Sequence, residues 1–290
     1  MNQQVQHKII ACVDESHFAD CVTDYAAWAA QCLGQPLELL HMLANPSTHI
    51  DQSKDHSGVL TFRSQQKLLT DLSDRDLQKS KIAREEGRIL LNRLRMRVME
   101  TGVEAVDTKL RYGKLDDALV KQENQAGLFI LGRRGLSAES NKRDIGRQVE
   151  KVVRALSKPI LTVTDQFKVP SRVLIAFDNS SMTKKAVHLV ASSPLFSNLT
   201  CYVVMSGKER SDMENQLAWA HNLLLAANRK VKSFYLPSET EQAISETIEQ
   251  KQIDLLVMGA YGHSFWRNLI FGSTTTELLR KTHIPTLLVR

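Results

Sequence analysis

The chain has 290 residues, 42% of them hydrophobic and 24% charged, which suffices for two domains of ordinary size, each with a buried core. The net charge of +6 comes from Lys and Arg spread along the chain, with no aromatic residues interleaved as a nucleic-acid stacking surface would require, so a solvated basic face is expected and no specific nucleic-acid partner. No apolar run reaches about 18 residues, and the polar stretch Met1–Lys8 leads straight into an apolar strand, which predicts no membrane span, no export signal and a cytoplasmic location.

Lys8–Val13 is a continuous apolar run of the kind buried on both faces of a parallel sheet. Ser16 is placed to cap the following helix, on which Phe18, Cys21, Val22, Tyr25, Ala29, Cys32 and Leu33 form one apolar stripe ended by Gly34. Leu37–Met42 reads as a second strand. The polar segment Asn45–Ser73 has no periodicity and reads as a loop or insertion able to cover a site. Residues 79–101 form a helix with Leu90, Leu94 and Val98 on one side, stopped at Gly102. A third strand near Val106–Arg111, a helix from about Leu115, a strand at Leu128–Leu131, a helix after Gly146 and a strand at Ile160–Val163 complete this half.

The order then repeats. Strands are expected at Val173–Phe177, Leu199–Met205, Val231–Leu236, Leu255–Met258 and Thr286–Val289, and a helix carries Met213, Leu217, Ala220, Leu224 and Ala227 on one face. The repetition extends to individual residues. Lys8 to Ser16 aligns with Arg172 to Ser180, and the Gly132/Gly135 pair aligns with Gly259/Gly262. The stretch from Gly146 to Pro159 aligns with that from Gly272 to Pro285. Alternating strands and helices predict an α/β fold: two tandem doubly wound, Rossmann-like domains, 1–165 and 170–290, divided at the proline-containing stretch Asp165–Ser171. The four cysteines (Cys12, Cys21, Cys32, Cys201) show no paired spacing and are expected as small buried hydrophobes rather than as metal ligands or nucleophiles.

The chemistry-bearing pattern lies in the second copy. Its fourth strand ends in Gly259 and Gly262, nine residues precede Gly272, and Gly272, Ser273 and Thr274 open a helix. Glycines let backbone N–H groups approach phosphate oxygens, and the unpaired amides and positive dipole of a helix start favour an anion. Asp178 ends the first strand of this copy, beside the switch point where doubly wound sheets bind ligands, and its carboxylate can accept hydrogen bonds from a base or a ribose. The first copy departs from the spacing: ten residues separate Gly135 from Gly146, and Arg147 stands where the second copy has Ser273. Its Arg133, Arg134, Arg143 and Arg147 read either as a different anion site or as a solvated basic loop paired with Glu139 and Asp144.

These features resemble the universal stress protein family in its tandem-domain form. The resemblance rests on the strand endings Val13 to Ser16 and Phe177 to Ser180, on Leu40 to Met42, and on the glycine motif at 259–274. It implies a five-stranded parallel sheet of order 3-2-1-4-5 in each half. It also implies ATP or ADP, with or without Mg²⁺, as cofactor of the second half. The matching positions are Gly259, Gly262, Gly272 and Ser273. Ala176 and Asp178 would line the adenine side and Val204 would contact the base. Met258 would lie beneath the nucleotide, Thr274 beside its phosphates and His263 within reach of a phosphate. Edge pairing in the family implies an internal pseudo-dimer with Ile160–Val163 beside Thr286–Val289, and it leaves a homodimer of whole chains open.

No lysine-bearing phosphate loop, paired-histidine or Ser–His arrangement accompanies the motif, so no catalytic residue and no metal site is assigned. Three functions stand at this level: a nucleotide-dependent binding or regulatory module in a stress response, a slow ATPase or phosphate-transfer enzyme, and a scaffold with vestigial pockets.

Overall fold

The computed structural model describes residues 7–44, 62–133, 147–208, 211–259 and 282–290, with side chains throughout except at 62–76 and 147–148. In the first half, β1 (Lys8–Val13), α1 (Phe18–Leu33), β2 (Leu37–Leu43), α2 (Phe62–Glu100) and β3 (Val106–Tyr112) are followed by α3 (Leu115–Val120), β4 (Ala126–Gly132), α4 (Arg147–Ala155) and β5 (Ile160–Val163). The second half runs β6 (Arg172–Ala176), α5 (Ser181–Ser192), β7 (Thr200–Ser206), α6 (Met213–Ala226), β8 (Lys230–Leu236), α7 (Thr240–Lys251), β9 (Leu255–Gly259) and β10 (Thr286–Val289). Among the described residues no helix is long and apolar enough to cross a membrane.

Every strand falls within a residue or two of its expected place. The sheet order β3-β2-β1-β4-β5-β10-β9-β6-β7-β8 is 3-2-1-4-5 in each half, joined into one ten-stranded sheet. Within the halves all pairings are parallel. The join is antiparallel, with Thr286 opposite Thr162, Leu287 opposite Leu161 and Leu288 opposite Ile160. Alternation along the strands divides the buried residues between the two faces. Ile9, Ala11, Val173 and Ile175 pack with α1 residues and with Phe196 on one side. Ile10, Leu174 and Leu256 pack with Val152 and Ile244 on the other.

Two local expectations are corrected. Ser16 does not cap α1. It turns back to Asp14, which accepts from both its backbone N–H and its hydroxyl, and His17 holds the N-cap position without a side-chain cap bond. The matching Ser180 does cap α5, accepting from the Thr183 N–H at 3.3 Å.

The second correction concerns the loop read over Asn45–Ser73: its last part is helix, because α2 begins at Phe62. Residues 62–86 contain no glycine or proline, so the backbone favours a helix even though no apolar face marks one. From Leu77 on, the first fully buried position of α2 is Gly87, where an added Cβ would stand 2.8 Å from Leu110 Cδ1 and 3.0 Å from His41 Cδ2. A glycine there lets the helix lie directly on β2 and β3. Arg93 to Asp20 at 2.7 Å and Arg97 to Asp24 at 2.6 Å fasten the same end of α2 to α1.

The segment between the halves is pinned on both sides. The Cys21 thiol donates to the Asp165 carbonyl at 2.9 Å, the Tyr25 hydroxyl lies 3.3 Å from the Lys168 carbonyl, and the Tyr25 and Phe167 rings meet edge to face at 4.8 Å. On the other side, Asp254 accepts from Lys168 Nζ at 2.5 Å, from the Ser171 N–H and hydroxyl at 2.9 and 2.7 Å, and from the Arg172 N–H at 3.0 Å. Burial alone would raise the Asp254 carboxyl, but these donors outweigh it and hold the group below the ordinary carboxylate value. A folded-state value below the unfolded one gives stability that is full above the unfolded value and is lost as pH falls through the folded one. Asp254→Asn is therefore expected to lower the urea midpoint at pH 7, with the difference from wild type shrinking as the pH drops below about 4.

Candidate functional site

In both halves β1 and β4, or their counterparts β6 and β9, are neighbours at the centre of the five strands, and the chain leaves them in opposite directions across the sheet. Their carboxyl ends therefore open a crevice that no crossover helix fills. In the second half this crevice is bounded by the ends of β6, β7 and β9. Ala176 is paired with Val204, and Met258 follows Val257, the partner of Ile175, so the three side chains stand in a row across adjacent strands. All three project to the same face and are buried, at 3%, 2% and 0% exposure. They belong to the buried apolar cluster on that face of the sheet.

Asp178 lies just past this row and shapes the turn into α5. Its Oδ1 accepts from the Ser180 N–H at 2.9 Å and from the Thr183 hydroxyl at 2.8 Å. Between them Asn179 takes the left-handed conformation, with φ of 65°. The carboxylate thus has a structural duty that its place at a strand end does not disclose, and Thr183 is a partner that strand-based reading missed. The available signal was a hydroxyl one helical turn into α5, where the side chain of a strand-end aspartate can reach.

Gly259 ends β9 against this turn. A Cβ there would come within 2.9 Å of Met182 Cβ and 3.4 Å of Thr183 Cγ2. The glycine is required for helix α5 to approach the strand, whatever else it does. Gly262, His263, Gly272, Ser273 and Thr274, the remaining expected phosphate-side residues, lie outside the described residues, as do Gly135, Gly146, Arg134 and Arg143.

The first half presents the same turn with different contents. Cys12, Leu40 and Leu131 take the places of Ala176, Val204 and Met258. His41, buried at 5% exposure, is held by a 2.8 Å contact between its Nδ1 and the Val13 carbonyl. Arg133, weighed as an anion ligand or a solvated residue, is neither. It is 5% exposed, and its guanidinium donates to the carbonyls of Thr282 and Ile284 at 2.5 and 2.7 Å and to the Thr286 hydroxyl at 2.9 Å. Its side chain crosses the seam and binds the approach to β10, leading away from the crevice of its own half.

The cysteines meet the expectation of burial only in part. Burial raises all four thiols above their ordinary value, Cys201 to about 11. Cys12 and Cys32 are partly exposed, whereas Cys21 and Cys201 are buried.

Two substitutions test this architecture. Gly259→Ala is expected to cost about 1–3 kcal/mol through the clash with α5. Arg133→Met, which leaves the Thr282 and Ile284 carbonyls without their charged donor, is expected to cost about 2–3 kcal/mol. Both are read as shifts in chemical unfolding at neutral pH.

The family model described as the universal stress protein family matches the chain twice, over residues 6–164 and 170–290. Universal stress protein Slr1230 from Synechocystis sp. is 33% identical over 284 residues, covering 97% of this chain and 99% of that protein. Two solved structures share the fold along nearly the whole length. A universal stress protein from Archaeoglobus fulgidus matches with a TM-score of 0.69 at 16% identity, covering 98% of this chain and 96% of its own. A putative universal stress protein from Pseudomonas aeruginosa matches with a TM-score of 0.60 at 15% identity, covering 98% and 94%.

Proposed function

The chain belongs to the universal stress protein family, and on that footing we propose that its second half, residues 170–290, binds an adenine nucleotide and acts as a binding or regulatory module in a stress response. The first half, residues 1–165, serves as its structural partner. The observation that carries the reading is the complete motif, Gly259, Gly262 and nine residues later Gly272-Ser273-Thr274, following a strand at the switch point of the sheet. The buried row of Ala176, Val204 and Met258 supports it by supplying an apolar floor beside those strand ends.

In this reading the base lies over that row. Asp178 lies beside the base or ribose while holding the α5 turn, and Val204 touches the ring from β7. The amides at Gly272 to Thr274 and the Ser273 and Thr274 hydroxyls hold the phosphates, with His263 adjacent. ATP or ADP is the ligand, with or without Mg²⁺, and the setting is cytoplasmic. The first half contributes no equivalent site. Its glycine spacing is longer by one residue, Arg147 replaces the serine, and Arg133 is committed to the seam.

Among the described residues no group of three or more His, Cys, Asp or Glu side chains is placed to hold a metal ion. The described part of the crevice offers no assembled base–nucleophile pair, so the proposal is binding rather than turnover, with slow hydrolysis as the alternative. Isothermal titration of the full chain with ATP and with ADP is expected to give one site per chain, abolished by Gly272→Val and retained in Arg147→Ser. Phosphate release in Mg²⁺ that disappears with Gly272→Val would favour the slow ATPase. Absence of heat with both nucleotides would leave the scaffold reading.

A further inference from the structure

Successive carbonyls of the second half are held by side chains of the first. Arg133 donates from Nη1 to the Thr282 carbonyl at 2.5 Å and from Nη2 to the Ile284 carbonyl at 2.7 Å. The Thr164 hydroxyl donates to the His283 carbonyl between them at 3.2 Å. Both donors are set by the first half's sheet. Arg133 follows β4 and its backbone N–H is bonded to the Val163 carbonyl at 2.8 Å, while Thr164 is the residue after β5. They are 5% and 8% exposed, so these bonds form where water competes little. The chain is thus fixed by the other half before β10 begins.

The grip is returned on the aligned stretch of the first half. Arg290, the residue after β10, reaches from Nη1 to the carbonyls of Arg154 and Leu156 at 2.5 and 3.2 Å, where α4 ends. A cation there complements the negative end of the helix dipole. When Gly146–Pro159 is aligned with Gly272–Pro285, Leu156 is the counterpart of Thr282, and Arg147 at the start of α4 is the counterpart of Ser273. Each half therefore binds, in the other, carbonyls that close the stretch running from the last glycine to the proline.

The two stretches differ at their opening. One starts with Arg147, the other with Gly272-Ser273-Thr274. On the sequence reading a helix follows Gly272, and a helix is stiff enough that holding its closing carbonyls fixes where its opening amides point. Donors to a phosphate must be placed to within about 0.5 Å. The base side is anchored separately, because Ala176, Val204 and Met258 stand on β6, β7 and β9 within the sheet ladder. Resting on the reading that the second half binds an adenine nucleotide, we propose that Arg133, assisted by Thr164, is a positioning residue for that site. The first half sets the phosphate affinity of the second.

Calorimetric titration of the full chain with ATP, ADP and adenosine tests this, with circular dichroism to establish that each variant is folded. Arg133→Met is expected to raise the dissociation constants of ATP and ADP at least about fivefold and to leave that of adenosine unchanged. Arg290→Met, which loosens the same seam from its other side, is expected to leave all three unchanged. Arg133→Lys keeps the charge without the fork and is expected to fall between wild type and Arg133→Met. Equal losses for ATP in Arg133→Met and Arg290→Met, or a loss shared by adenosine, mean general loosening and overturn the proposal. ATP bound by Arg133→Met as by wild type overturns it and leaves the nucleotide reading standing, whereas no heat with ATP from wild type removes both. Should Arg133→Met be too unstable to titrate, Arg133→Lys and the isosteric Thr164→Val decide by the same criteria.

Discussion

Two strands of four residues each, β5 and β10, carry the connection between the halves. Their antiparallel pairing turns two five-stranded sheets into one and removes the edges that would otherwise lie open at the centre. All eight residues are buried, including Thr162 and Thr286, whose hydroxyls are met within the seam: Thr162 donates to the Thr286 carbonyl, and Thr286 accepts from Arg133. Arg290 Nη1 reaches back from the chain end to the carbonyls of Arg154 and Leu156 at the close of α4. The seam is thus short in backbone pairing but reinforced by two arginines that satisfy carbonyls on the opposite half. Such charge-assisted bonds are worth most where water is excluded.

The position of both crevices follows from this join. Each β-α-β crossover fixes which strand ends face the switch point, and the seam sets the two switch points on either side of the central strand pair. The floor of the second crevice is made by strands interior to the ten-stranded sheet, so its geometry is insulated from the exposed edges at β3 and β8. The turn carrying Asp178 is similarly over-determined, with the carboxylate, the Ser180 cap and the close approach of Gly259 all fixing the start of α5.

The interior strands were the most legible in the sequence because both of their faces are buried, which writes a continuous apolar run into the chain. Thr286–Val289 and Ile160–Val163 were found to the residue for this reason. The beginning of α2 was not legible, since its sequence carries no apolar stripe at helical spacing to mark it. Ser16 and Ser180 look alike in an alignment, yet one caps a helix and the other turns back to an aspartate. The difference lies in the aspartate's hydroxyl partner: Asp14 takes the Ser16 hydroxyl, whereas Asp178 takes that of Thr183 and leaves Ser180 to the helix end. Arg133 was misplaced because its partners are mostly carbonyl groups of the other half, and main-chain acceptors leave no trace in residue identity. For the candidate site, Ala176, Val204 and Met258 were named by the family resemblance alone, whereas the second duties of Asp178 and Gly259 became visible only with α5 in place.

The seam bears on how the two halves have been free to change. In a dimer of separate identical subunits, every substitution at the shared face appears twice, so an arginine reaching outward on one side must be tolerated on the other. Here Arg133 occupies one side, and its counterpart in the alignment is Ala260. The tether also replaces association from solution by an encounter at an effective concentration of about millimolar, so the seam need not be self-sufficient. Covalent fusion has released this protein from symmetry, so that one half can carry the seam arginine while the other keeps the glycine motif.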